Sequence, residues 1–407
     1  MSLPTLQNIK IPAGVSSLFK SRLFIFFIFI LLPAITTYKQ YHHGGHHNNY
    51  LIFIYTYFHS VDHLNLFTAY PEYADTNHYG PLFALVIAPF TYLPEFMGMY
   101  LWEAANALFL FYAIQTLPLK NSKVTAVYWI VAHELLTAMF SCQINPSIAA
   151  IIILSFTLVE KKQNFWATCL ILFGTFIKLY GIVGLAFFFF AKEKPKYIAY
   201  CVFWTLFFFA LPMVFFGPSY IIQQYQEWYI SLSEKQLLNA SLTSMQDMSI
   251  MGFVRRVFQN AELPNLPFLM TGLAVFCYPY IRISQYKSLN FRLMFLSSAM
   301  IFAVIFSNSS ESPTYIIAFC GVAIWFMIQP RPLPVPVLLL FIFAILFTTL
   351  APSDIYPKFI RDQFFARYSF KAVPCILIWT YLSYQMIFEN FNIPSRSLAY
   401  TTAERNV

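Results

Sequence analysis

Charged side chains are scarce in this sequence. Asp, Glu, Lys and Arg make up 10% of its 407 residues, where soluble domains carry roughly 25%. That shortage excludes an ordinary water-facing surface over most of the chain. The six cysteines, Cys142, Cys169, Cys201, Cys277, Cys320 and Cys375, never form a CxxC pair and all fall in or beside apolar runs. They read as small buried hydrophobes and exclude a disulfide framework. Polar/apolar alternation, the mark of a transmembrane barrel, is missing. No repeat, low-complexity linker or soluble segment divides the chain, so residues 1–407 read as one domain.

What the chain has is apolar surface: 59% of its residues are hydrophobic and 20% aromatic. Apolar runs of about 15–22 residues recur from Leu23 to Phe388, the length needed to cross a bilayer. Backbone groups inside a bilayer must be satisfied within the segment, so these runs are expected to be helices. The fold class is therefore an all-α polytopic integral membrane protein.

The net charge is +8. Nucleic acid is not the expected partner, because most Lys and Arg lie in short clusters between apolar runs, which is an orientation signal. Such clusters occur at Lys120–Lys123, Lys161–Lys162, Lys192–Lys196, Arg282–Arg292, Arg331 and the tail with Arg396 and Arg405. Placing them in the cytoplasm gives about twelve spans with both termini inside, in a cell membrane. The spans are near 22–38, 97–118, 124–142, 146–160, 165–178, 179–191, 196–217, 264–281, 291–307, 313–329, 334–351 and 371–388. Lys10, Lys20 and Arg22 precede the first run, which reads as an uncleaved span. The run Pro81–Pro94, broken by Pro89, is too short for a crossing and reads as a re-entrant or interfacial helix. Dividing 165–191 at Lys178 spares a mid-membrane ammonium, which costs about 3 kcal/mol on insertion scales.

In this layout residues 39–96 form a large first extracytoplasmic loop. It holds seven of the eight histidines, together with Asp62, Glu72 and Asp75. His42, His43, His46 and His47 are close enough in sequence to hold a metal. Gly44 and Gly45 loosen the tract and no Cys lies near, so solvated histidines are the better reading and no metal is assigned. Gly217–Leu263, Ser307–Ser312 and Pro352–Ser369 also lie outside. The last is basic on the side that disfavours cations, which points to anionic lipid phosphate or to plain loop charge.

The block YGPLFALVIAPFTYLP followed by LWEAANALFLFYA resembles the segment after the first external loop of family 87 glycosyltransferases. Gln143–Ile144–Asn145–Pro146 resembles that family's Gly-Gln-Val-Asn segment. Phe176–Ile177–Lys178–Leu179–Tyr180 resembles its Ile-Lys-x-x-Pro segment. Order and spacing agree over about residues 20–200. The resemblance implies a GT-C-like helical bundle that takes mannose or a related sugar from a polyprenyl-phosphate donor. The acceptor would be a lipid or glycan on the extracytoplasmic face, with membrane lipid around the protein and no cofactor besides the donor.

Such a transfer needs a base for the acceptor hydroxyl, cations or donors for the leaving phosphate, and an apolar groove for the lipid. The family's catalytic Asp opens the external loop in a pattern like Asp-x-x-x-Tyr. Asn49 stands at that position here, with Phe53 in place of the Tyr, and an amide cannot act as a general base. Asp75, then Glu72, then Asp62 are the candidate replacements, with Glu311 as a second acid. Lys178 is the leading phosphate-binding cation, and a snorkelling lysine is its alternative. Tyr180 belongs to the same segment. Gln143 and Asn145 could hydrogen-bond sugar hydroxyls or cap the helix that Pro146 opens. Arg255, Arg256 and Lys358 are further candidate phosphate ligands. Two other functions stand beside transfer: an inactive family member acting as a scaffold, which Asn49 favours, and a flippase of lipid-linked sugar. A flippase needs polar groups along a mid-membrane path, and the spans hold few besides Glu103, His133 and Glu134.

Overall fold

The computed structural model describes residues 13–42, 47–244 and 246–392, and among these every regular element is a helix. The short α1 (Ala13–Lys20) leads into α2 (Arg22–His42). Then come α3 (Asn48–Val61), α4 (Phe83–Thr91), α5 (Glu95–Gln115), α6 (Asn121–Met139), α7 (Asn145–Glu160) and α8 (Asn164–Ile177). A 3-10 helix, Leu179–Phe190, is followed by α9 (Lys194–Phe216), α10 (Pro218–Asn239), α11 (Ile250–Val257) and α12 (Asn265–Cys277). The remaining helices are α13 (Leu289–Ile305), α14 (Tyr315–Ile328), α15 (Val335–Ala344), the single turn α16 (Lys358–Ile360) and α17 (Ala372–Phe388).

Helices α2, α5 and α9 are long and apolar enough to cross a membrane; the other apolar helices are shorter. Helix α9 is apolar all round yet only 11% of its apolar stretch is buried. A helix of that composition with its sides uncovered belongs against lipid. At the other extreme, α14 is buried from Tyr315 to Met327. It packs against α13 and α6, and α7 packs against α5 and α8 around the same centre. The core therefore lies along α7, α13 and α14, and α9 sits at the periphery.

Most apolar runs fall where the sequence puts them, and the 165–191 segment does break at Lys178. Two segments read as loops are helical instead. Residues 39–96 contain α3 as well as the proline-bounded α4. Gly217–Leu263 contains the 22-residue α10 and also α11. Both α3 and α10 mix polar and aromatic residues, so a search for long apolar runs passes over them.

Beneath the ends of α6 and α17, Lys371 Nζ lies 3.0 Å from Glu134 Oε2, with both side chains buried. The same ammonium donates to the Ser312 carbonyl at 3.2 Å and contacts Ser312 Oγ at 3.0 Å. This ties α6, α17 and the turn before α14 together. Removing one partner of a buried pair strands the other charge, which costs about 3–5 kcal/mol. Lys371→Met is thus expected to lower thermal stability by about that amount, and Lys371→Met with Glu134→Leu to recover most of it. Unfolding midpoints in detergent check this; a single variant melting like wild type removes the pair from the scaffold.

Candidate active site

The site is built where α8 stops. Lys178 adopts an extended backbone, φ −148° and ψ 124°, and the 3-10 helix starts at the next residue. Gly80 N–H donates to the Ile177 carbonyl at 3.0 Å. A Cβ on Gly80 would come within 2.2 Å of the Phe176 carbonyl oxygen, so only glycine lets the loop lie on this helix end. The Lys178 ammonium points inward, over the rings of Tyr79 at 5.5 Å and Tyr180 at 5.3 Å. It donates to Asn145 Oδ1 at 2.8 Å. Burial pushes its pKa down, against the pull of Glu311.

From Lys178 the hydrogen bonds run onward. The Asn145 amide donates to Gln143 Oε1, and Gln143 Nε2 donates to Glu311 Oε2 at 2.8 Å. Glu311 Oε1 lies 3.8 Å from Lys235 Nζ. The turn that presents Gln143 and Asn145 is held from three sides. Trp102 Nε1 donates to the Cys142 carbonyl at 2.8 Å, and Asn49 Nδ2 to the Ser141 carbonyl at 2.8 Å. Gln40 Nε2 donates to the Met139 carbonyl at 3.0 Å. Cys142 itself sits at φ 50°, the left-handed region that a side chain enters only when its surroundings hold it there.

Helix α10 covers the site. Gly217, at φ 86°, turns the chain sharply out of α9 and into α10. One face of α10 then meets the cavity at helical spacing: Trp228, Leu232, Lys235 and Gln236. Trp228 Nε1 donates to the His78 carbonyl at 3.0 Å, and His78 Nδ1 lies 3.1 Å from Ser231 Oγ. Asn239 Nδ2 donates to the Asn308 carbonyl at 3.1 Å. Under this helix lies a cavity of about 470 Å3 lined by Asn49, Asp75, His78, Gln143, Lys178, Tyr180, Lys235 and Glu311, among others. Its size is that of a small-molecule site.

A second, apolar groove of about 490 Å3 runs along Ile182, Val183, Ala186 and Phe189 of the 3-10 helix, against Phe276 of α12 and Phe302 of α13. It shares Leu179, Tyr180 and Ser307 with the polar cavity. Tyr180 Oη donates to Ser307 Oγ at 2.9 Å at the junction. A polar head and an apolar tail of one ligand could thus be held side by side.

Residues 77–307 match the family model of glycosyltransferase family 87. The chain belongs to this family. No curated protein matches it. As a family 87 glycosyltransferase with apolar helices it is a membrane protein, and the match spans most of the cavity's lining.

The site residues expected from the sequence separate into two groups. Asn49, Asp75, Gln143, Lys178, Tyr180 and Glu311 meet at the cavity, with Asn145 directly behind Lys178. The others lie elsewhere. Asp62 and Glu72 are exposed and do not line the cavity, and neither does Lys358, which is exposed on α16. Arg255 and Arg256 are buried and their guanidinium groups are occupied within the protein. Arg255 binds Asp247 Oδ2 at 3.1 Å and the Leu263 carbonyl; Arg256 binds the Asp247 and Ser244 carbonyls and Ser369 Oγ. These two arginines fasten the outer segments to one another, and nothing of them faces the cavity. His43–His46 fall outside the described residues, and among the described residues no group of three or more possible ligands could hold a metal.

Sequence reasoning passed over Lys235 and His78. Lys235 was hidden in a segment taken for a loop; the three-to-four-residue spacing of Trp228, Ser231 and Lys235 was the available signal. His78 was overshadowed by the denser His tract. Burial, then the nearby Lys235, pushes the His78 imidazole down from its ordinary 6.5 to about 4, against the pull of Asp75 3.9 Å away. The folded protein therefore resists protonation that the unfolded chain accepts, and stability falls as pH drops from 6.5 toward 4. A loss on the order of 2 kcal/mol is expected between about pH 7 and about pH 5. His78→Asn should flatten that slope in thermal unfolding; an unchanged slope assigns it to other groups.

Proposed function

We propose that this protein transfers a mannose-like hexose or a pentose from a polyprenyl-phosphate donor to a hydroxyl of a lipid or glycan acceptor. The observation that carries this reading is the continuity of the polar cavity with the apolar groove at Leu179, Tyr180 and Ser307. A polyprenyl-phosphate sugar has that division: a polar sugar, an anionic phosphate and a long hydrocarbon chain. The groove suits the chain, Lys178 suits the phosphate at the junction, and the cavity under α10 suits the sugar and acceptor.

The donor lies in the membrane, so the reading places the cavity at the extracytoplasmic surface of a GT-C-like bundle. About twelve crossings with both termini inside and α4 as a re-entrant or interfacial helix complete that layout. Transport is less well supported. Glu103 is enclosed by Thr36, Gln40 and Cys142, and Glu134 by Lys371, so these intramembrane acids serve packed contacts and line no path.

Negative charge grows on the phosphate as the sugar–oxygen bond breaks, and a fixed cation in a dry site stabilises it. Lys178→Ala is expected to lower turnover about 100- to 1000-fold. Lys178→Arg should keep part of the activity, since the charge remains while the geometry changes. Purified protein in lipid nanodiscs, given radiolabelled polyprenyl-phosphate sugars and lipid acceptors, tests both. No transfer by wild type across the donors refutes the function. Turnover by the Ala variant within a few-fold of wild type makes Lys178 a membrane anchor.

A further inference from the structure

Resting on that reading, we infer that Glu311 and Lys235 act as one charge relay: Glu311 takes the acceptor's proton, and Lys235, released by that step, receives the leaving phosphate. The observation is their arrangement with Lys178. Lys178, Lys235 and Glu311 face the cavity, linked through Gln143 and Asn145, while the second carboxylate of its lining, Asp75, is half exposed. Lys178 has a hydrogen-bond acceptor at 2.8 Å. Among the described residues the ionic partner of Lys235 is Glu311, at 3.8 Å, and its side chain is 13% exposed. It is the less committed cation and it stands on the covering helix.

The charges balance through the reaction. A sugar phosphodiester carries one negative charge, and with Glu311, Lys178 and Lys235 the sum is zero. The bond between the sugar's anomeric carbon and the phosphate oxygen breaks, and its electron pair stays on that oxygen. The acceptor oxygen bonds to the anomeric carbon while its proton passes to Glu311. The products are a phosphate monoester with close to two negative charges, a neutral glutamic acid and two ammonium groups, again summing to zero. A low-dielectric site penalises any step that leaves net charge uncompensated, so proton and phosphate charge should shift together. Once Glu311 is neutral it no longer holds Lys235, whose ammonium is then free for the phosphate. This contact is made late in the reaction, as transition-state stabilisation requires.

The other acids fit the role less well. Asp75 sits at the rim with its side chain half exposed, and Oδ1 accepts from Thr76 N–H at 2.8 Å. Asn49 lines the cavity but cannot accept a proton, and its amide holds the Ser141 carbonyl. Glu311 is held firmly. Its N–H donates to Thr314 Oγ1 at 3.2 Å, and Lys371 grips the adjoining Ser312.

The test is binding of undecaprenyl phosphate to the full chain in nanodiscs, which needs no knowledge of sugar or acceptor. Glu311→Gln removes the charge that holds Lys235 and should tighten binding about tenfold, while Lys235→Ala should weaken it about tenfold. In the double variant the gain should vanish, because Lys235 carries it. In turnover, Glu311→Gln and Lys235→Ala should each lower kcat about a hundredfold with the donor KM little changed. Thermal unfolding confirms that the variants fold; if Glu311→Gln does not, Glu311→Ala, which also removes the charge, and Lys235→Ala give the same comparison. Binding by wild type with no tightening in Glu311→Gln, a gain that survives loss of Lys235, or kcat within a few-fold of wild type overturns the relay alone. No binding by wild type or any variant overturns the relay and the donor reading together.

Discussion

An ammonium group taken out of water needs partners, and Lys178 shows what supplying them requires. Its charge is buried in a protein with few charges to spare, so the partner has to be polar, close and fixed. Asn145 meets the first two conditions. The third depends on Gln143, which engages Asn145 and is itself held by Glu311. Cation and carboxylate are thus joined through two amides without touching. A direct ion pair would neutralise both and leave neither for a ligand. Amide spacers keep the two charges apart and still set their positions.

The turn between α6 and α7 makes that spacing possible. Ser141, Cys142 and Met139 give their carbonyls to Asn49, Trp102 and Gln40, which come from α3, α5 and α2. Gln40 Nε2 also donates to Glu103 Oε1 at 3.0 Å, and Cys142 Sγ lies 3.2 Å from the same oxygen. Three helices therefore converge on one turn and force Cys142 into the left-handed region. Asn49 has a structural use here that an aspartate lacks: an ionised carboxylate has no hydrogen to donate to the Ser141 carbonyl.

Much of this was legible in the sequence. Long apolar runs located the helices, because the bilayer imposes a length on each. Gln143, Asn145 and Lys178 were legible because their segments resemble two family 87 motifs, and because Lys178 divides an apolar run. What stayed hidden had a common cause. Helices α3 and α10 are neither apolar enough to read as spans nor clearly loops, so their faces could not be assigned without their neighbours. Arg255 and Arg256 looked available because sequence does not show Asp247, Leu263 and Ser369 arriving from elsewhere to occupy them. Asp62 and Glu72 stood behind Asp75 as candidates, and of the three only Asp75 lies on the part of the loop that Gly80 draws against α8.

The position of Lys235 gives the covering helix a meaning beyond enclosure. Helix α10 follows α9 directly through Gly217, so its location is set by a long apolar helix that is only 11% buried. Its inner face carries Trp228, Leu232 and Lys235 to the cavity, whereas Gln226, Tyr229, Ile230, Glu234, Leu237 and Leu238 are exposed on its outer side. Lys178 lines the polar cavity next to Leu179 and Tyr180, two of the residues that the cavity shares with the apolar groove. Lys235 stands instead on the covering helix. In the proposed relay, ground-state binding and late charge stabilisation would therefore fall to different structural elements, one part of the packed core and one resting at its edge.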